Sequence, residues 1–176
     1  MAITVVFLIA ISLSMDAFSL SLAYGTFNIR KSSISILSLI VGVYHFFMPI
    51  FGMIVGQKVI NLLPIKPEII IFIILFLIGI QMIVESFGNK TEIRKLNFTE
   101  MLLFGFAVSL DSFSVGLSLK YIYKNPYVCA LIFSISSSIF TFFGLNIGMK
   151  VSNYFGRMST LLGGIILIII GLCSLV

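Results

Sequence analysis

Two aspartates stand inside runs that are otherwise apolar. Asp16 sits in "SLSMDAFSLSL" and Asp111 in "AVSLDSFSVGLSL". Hydroxyl residues surround both at helical spacing. Ser12 and Ser19 lie at i−4 and i+3 from Asp16, and Ser114 lies at i+3 from Asp111, so each group shares a helix face. Carboxylates and hydroxyls together form an oxygen-rich donor set, which suits magnesium, calcium or manganese better than zinc or copper. Two neighbouring carboxylates repel, and one holds a proton unless a cation balances both. The expected chemistry is therefore reversible binding of a hard divalent cation, Mn²⁺ or another, with no permanently bound cofactor. The plainer alternative is that these side chains only hydrogen-bond helices together.

Other polar residues in apolar runs join the candidate set. His45, the single histidine, occurs in "GVYHFFMPIFG", four residues before Pro49. A proline inside a helix leaves the carbonyl four residues earlier without its donor, so His45 offers an imidazole and a freed carbonyl. "IFTFFGLNIG" supplies Thr141, at the position matching Pro49, and Asn146. The metal-ligand candidates are Asp16, Asp111, Ser19, Ser114, Asn146 and His45. Glu85, at the end of "IQMIVES", joins Pro49 and Thr141 as a candidate for gating or proton coupling. Cys129 and Cys173 form no CxxC pair and read as buried small hydrophobes.

The elements that carry these residues follow from composition. Of 176 residues 60% are hydrophobic and 10% charged, against roughly 45–50% and 25% in soluble domains. Such a chain belongs in a bilayer. Its excess of eleven Lys and Arg over six Asp and Glu lies in short links, where it orients the chain, and no nucleic acid is expected. Six apolar runs are near the ~20 residues a helix needs to span the hydrocarbon core: 3–24, 33–56, 68–87, 99–119, 126–149 and 156–176. The first run carries an aspartate and follows no basic leader, so it reads as a span and not a cleaved signal. No soluble tail is expected after the sixth.

The second half repeats the first. Ser14, Asp16, Phe18, Ser19 and Leu22 recur 95 residues later as Ser109, Asp111, Phe113, Ser114 and Leu117. "FGMIVGQKV" recurs as "FGLNIGMKV" and "FLIGIQMI" as "IIIGLCSL", both 92 residues on. Three spans per repeat bring the second half in from the opposite side. The fold expected is an all-α membrane protein of six transmembrane helices, a single transmembrane domain made of two inverted three-helix repeats, 1–88 and 97–176. That is the plan of many secondary transporters, with the site at the midplane between repeats. Odd-numbered links hold seven basic residues and even-numbered links four, which puts both termini outside. With no GxxxxGK[ST] motif in the sequence, ion or proton gradients would drive transport and no enzymatic reaction is expected.

"SMDAFSLSLAYG", "GVYHFFMPIFGMIVG", "LIGIQMIVES", "SLDSFSVGLSL", "TFFGLNIGMKV" and "LLGGIILIIIG" resemble the MntP-type manganese efflux pumps, six-helix exporters of the bacterial inner membrane related to the lysine-exporter superfamily. The resemblance runs along essentially the whole chain. It implies manganese export from the cytoplasm, with Asp16 and Asp111 as the central acids and Glu85 at the matching position after the third run. The expected partners are a divalent metal ion and the lipid bilayer, with a homodimer left open. "DSFSVG" stands where these pumps more often read "DALAVG" and is also similar to a sporulation-associated membrane protein group. Thr160 occupies a position often acidic in them. Rival functions are an exporter of small organic solutes such as amino acids, which would need an intramembrane Arg or Lys that the runs lack, and an intramembrane aspartyl protease, whose GxGD motif is not found here.

Overall fold

The computed structural model describes residues 3–27, 29–60, 67–87, 96–122, 125–155 and 157–173. These form six helices: α1 (Ile3–Gly25), α2 (Lys31–Ile60), α3 (Pro67–Ser86), α4 (Phe98–Ile122), α5 (Pro126–Phe155) and α6 (Arg157–Cys173). Local chemistry sets several ends. Thr26 Oγ1 and the Thr26 and Phe27 amides donate to the Ala23 and Tyr24 carbonyls and close α1. Asn125 Oδ1 accepts from the Tyr127 amide, and Pro126 takes the first helical position of α5, where its missing N–H costs nothing.

α2 and α5 run longer than expected. The links "QKVINLLPIKP" and "KVSNYF" were expected to start at Gln57 and Lys150, yet the helices continue to Ile60 and Phe155. Gly56 and Gly148 do not stop them, because a single glycine costs a helix only about 1 kcal/mol. The next strong breakers in sequence are Pro64 and Gly156.

Among the described residues, four helices have stretches long and apolar enough to cross a membrane: Ile3–Gly25, Lys31–Ile54, Phe98–Gly116 and Pro126–Ser152. α3 and α6 contribute the shorter apolar stretches Leu75–Val84 and Thr160–Cys173. Large side chains such as Leu8, Leu39, Phe47 and Leu77 are exposed around the bundle, as the surface of a multi-pass membrane protein requires.

Association of helices in lipid gains little from burying apolar area, so close packing at small residues must supply it. α1 packs on α5, α2 on both α4 and α5, and α3 on α6. A Cβ added at Gly144 of α5 would meet the Phe18 carbonyl of α1 at 2.7 Å, and one at Gly148 would strike the Leu22 carbonyl. On α2, Gly52 abuts the Phe113 carbonyl of α4 in the same manner, and Gly116 abuts that of Pro49. The order of these contacts makes α1 and α5 parallel, and α2 and α4 parallel. α3 and α6 are antiparallel, with Gly79 against Gly164 and Leu75 against Gly171. So are α2 and α5, where Ser138 Oγ donates to the Ser38 carbonyl (2.9 Å) and Gly42 lies on Ser134.

Two apolar clusters fill the interior. The larger gathers residues from all six helices, including Ala17, Tyr24, Leu37, Phe104, Val108 and Leu145, with Tyr24 stacked on Phe104 at 4.6 Å. The smaller contains Val6, Ala10, Leu13, Cys129 and Phe133, with Val115 of α4 packed against it. Between them, along α1, α4 and α5, lie Ser14, Asp111 and Ser137.

Candidate metal centre

Asp16 and Asp111 come from the middles of α1 and α4, two helices in contact. Their surroundings differ. Asp16 is exposed on α1 together with Ser12 and Ser19, the face that the spacing predicts. Asp111 is half-buried; its Oδ1 accepts from the Ser112 amide at 2.7 Å, and its Oδ2 is buried with no partner. An orphaned buried acceptor costs about 1–3 kcal/mol, more when charged. A bound cation would satisfy that oxygen.

Asp111 also has a definable direction. Val115 is one turn further along α4 and packs on the smaller apolar cluster between α1 and α5. Residues at i and i+4 share a helix face, so Asp111 faces the α1–α5 junction one turn beyond that cluster.

The remaining candidates are spread over the bundle. Ser19 Oγ donates to the Met15 carbonyl of its own helix (2.9 Å), and Ser114 is exposed on α4. Asn146 is partly exposed, with Nδ2 donating to the Phe142 carbonyl at 2.8 Å. His45 is fully buried in α2. Its Nδ1 lies 2.9 Å from the Val41 carbonyl, and its Nε2 has no partner. Pro49 sits inside the continuous α2 helix with its carbonyl against Gly116. Thr141 is fully buried, and its Oγ1 too lacks a partner. Glu85 falls in α3, and its side chain lies outside the described set. Among the described residues, no three His, Cys, Asp or Glu side chains gather around one point, so His45 does not join the two aspartates in one cluster.

A hydroxyl cluster escaped the sequence reading. Ser14 Oγ is 2.7 Å from Ser136 Oγ and 3.3 Å from Ser137 Oγ, and donates to the Ala10 carbonyl at 2.6 Å. Ser21 is also fully buried and without a partner. The available signal was "SISSSIFT" (134–141), an unusual density of hydroxyls in an apolar helix.

Comparison with known proteins identifies the family. A family model described as "Putative manganese efflux pump" matches residues 28–175. A protein of Bacillus pumilus named "Putative manganese efflux pump MntP" is 38% identical over 167 residues, 94% of this chain and 90% of the relative. Proteins of the same name from Bacillus licheniformis and Methanobrevibacter smithii are 38% and 36% identical, covering 94% and 95% of this chain and 89% and 93% of theirs. These descriptions name transporters and not enzymes. No solved structure matches the chain. With the match extending over nearly its whole length, the chain belongs to the MntP family of manganese efflux pumps.

Proposed function

We propose that the protein is a secondary transporter that exports divalent cations, manganese first among them, from the cytoplasm through a midplane site built on Asp16 and Asp111. One observation carries this: the two mid-helix carboxylates stand at equivalent positions of two helices in contact, and one has a buried oxygen without a partner. A central Asp opposes insertion by about 2.5–3.5 kcal/mol. Asp16 shares the exposed face of α1 with Ile11, Ser12, Met15 and Ser19, and a carboxylate there needs water or an ion in front of it. The names carried by the relatives supply manganese as the ion.

Two inverted three-helix repeats give the site its place. The pairing of α1 with α5 matches that of α4 with α2. Gly144 on Phe18 and Gly52 on Phe113 are the same contact once the 92- and 95-residue offsets are applied. Equivalent helices of the two halves run in opposite directions. A pseudo-two-fold axis in the membrane plane then passes between Asp16 and Asp111. The seven-to-four division of basic residues supports odd links in the cytoplasm and both termini outside the cytoplasmic membrane.

The test is metal content and manganese tolerance of cells lacking their own exporter and expressing this chain, Asp16→Asn or Asp111→Asn. The wild-type chain should lower cell manganese, and both variants should lower it much less at normal abundance in the membrane. Full export by the double Asn variant would sink the proposal.

A further inference from the structure

Fully buried hydroxyls line the seam between α1 and α5, and the aspartate site does not account for them. Ser14, Ser21, Ser137 and Thr141 have no exposed surface. Ser14 is bonded into its cluster, whereas Ser21 Oγ and Thr141 Oγ1 have no partner. Both orphans point into the seam. The Ser21 Cβ is 3.0 Å from where a Cβ on Gly144 would stand. Thr141 is four residues after Ser137, which meets Ser14, and three before Gly144, so it shares their face. Lipid offers no hydrogen bonds, so these groups need water or the oxygen shell of an ion.

The corresponding seam between α2 and α4 is built differently. Positions equivalent to Ser136, Ser137 and Thr141 hold Tyr44, His45 and Pro49. Ser21 is matched by Gly116, whose Cα is pressed against the Pro49 carbonyl. Both seams have close glycine crossings, Gly144 and Gly148 on the Phe18 and Leu22 carbonyls in one and Gly52 and Gly116 on those of Phe113 and Pro49 in the other; they differ in that the unpartnered groups are the Ser21 and Thr141 hydroxyls in the first and the His45 imidazole in the second.

Resting on the export reading above, we propose that the α1–α5 seam, closed in this structure by Gly148 against the Leu22 carbonyl and Gly25 against that of Leu145, opens as a hydrated half-channel that leads a divalent cation, with part of its water shell, from the side of the membrane where α1 ends to the buried oxygen of Asp111. Ser14 and Ser21 lie two residues before and five after Asp16. At 1.5 Å per residue the seam starts at the depth of the acids and runs roughly 8 Å beyond them. Neutral hydroxyl and carbonyl oxygens replace water around a hard cation without trapping it by charge. Phe18, edge-on to Phe140 at 6.3 Å, closes the seam on its outer side.

The experiment is thiol labelling in membrane vesicles of both orientations, using Ser14→Cys, Ser21→Cys and Ser109→Cys chains that also carry Cys129→Ala and Cys173→Ala. The probe is a small membrane-impermeant methanethiosulfonate. A buried thiol reacts only where water allows its thiolate to form, so the Ser14 and Ser21 positions should react at least about tenfold faster than Ser109. They should do so from one face only, and Mn²⁺ should slow them. Equal reaction at Ser109, or no reaction at either seam position in chains that still export, overturns the half-channel. One-sided labelling that persists while Asp16→Asn/Asp111→Asn still exports would instead remove the aspartate site of the export reading and leave the hydrated seam standing. Where a Cys variant does not reach the membrane, Thr141→Val, of nearly the same shape, serves in its place. Export should fall severalfold with binding of Mn²⁺ retained, and unchanged export would overturn the proposal.

Discussion

At Gly144 the backbone of α5 approaches the carbonyl of Phe18, and at Gly52 the backbone of α2 approaches the carbonyl of Phe113. The two crossings join equivalent residues of the two halves, yet the seams beside them hold different side chains. One has Ser14, Ser21, Ser137 and Thr141; the other has Ser109, Gly116, His45 and Pro49. Glycine at the crossing brings the helix pair together and is needed twice. What fills the space beside it is free to diverge, and divergence is greatest in polarity. The same division separates the aspartates. Asp16 is exposed, whereas Asp111 has a buried oxygen and faces the hydroxyl-lined seam. Corresponding positions therefore sit in unequal surroundings.

The crossings should give the largest effects. Leucine at Gly116 or at Gly144 drives a side chain into a facing backbone carbonyl. Overpacking of a fixed backbone costs about 1–3 kcal/mol or more, so both variants should lose folded, detergent-stable protein, measured by thermal unfolding in detergent. If only one does, the two crossings are not equivalent. The acids come next, read in export. Asp111→Asn should lower manganese export more than Asp16→Asn does, because the buried oxygen of Asp111 has no protein partner to take the place of an ion. The reverse order, in initial rates of Mn²⁺ efflux from loaded cells, would shift the centre of the site to the exposed acid. Smaller still is the contrast between Ser14→Ala and Ser109→Ala. Ser14 joins α1 to α5, while Ser109 donates only to the Phe106 carbonyl of its own helix. A net hydrogen bond is worth roughly 1 kcal/mol, so Ser14→Ala should lower thermal stability by about that much and Ser109→Ala by less. Asn146→Ala should change stability least, by under about 0.5 kcal/mol, since its amide returns to its own helix. A loss of export at unchanged stability would bring Asn146 into the ion's route.

Several features were legible before any coordinates. All six helices, the internal repeat and the exposed face shared by Ser12, Asp16 and Ser19 follow from run length, offset and helical spacing. The ends of α2 and α5 were misplaced because a lone glycine next to charge looks like a link, while the helix outlasts it. Asp16 and Asp111 could be singled out at once, because a carboxylate in an apolar run is costly anywhere in a bilayer.

The seam was not legible, for a reason particular to membranes. In water, a helix marks its inner face with apolar residues; in lipid both faces are apolar and the mark is erased. "SISSSIFT" shows that α5 is rich in hydroxyls, but not that Ser137 meets α1 while Ser138 meets α2. Nor can equivalent motifs reveal that one aspartate is exposed and the other half-buried. Chain chemistry by itself determined a bilayer protein with two acids at matching positions of an internal repeat. Only the packing of α1 on α5, and of α4 beside them, decided which oxygens lack partners, because a group's need for one depends on what its neighbours exclude.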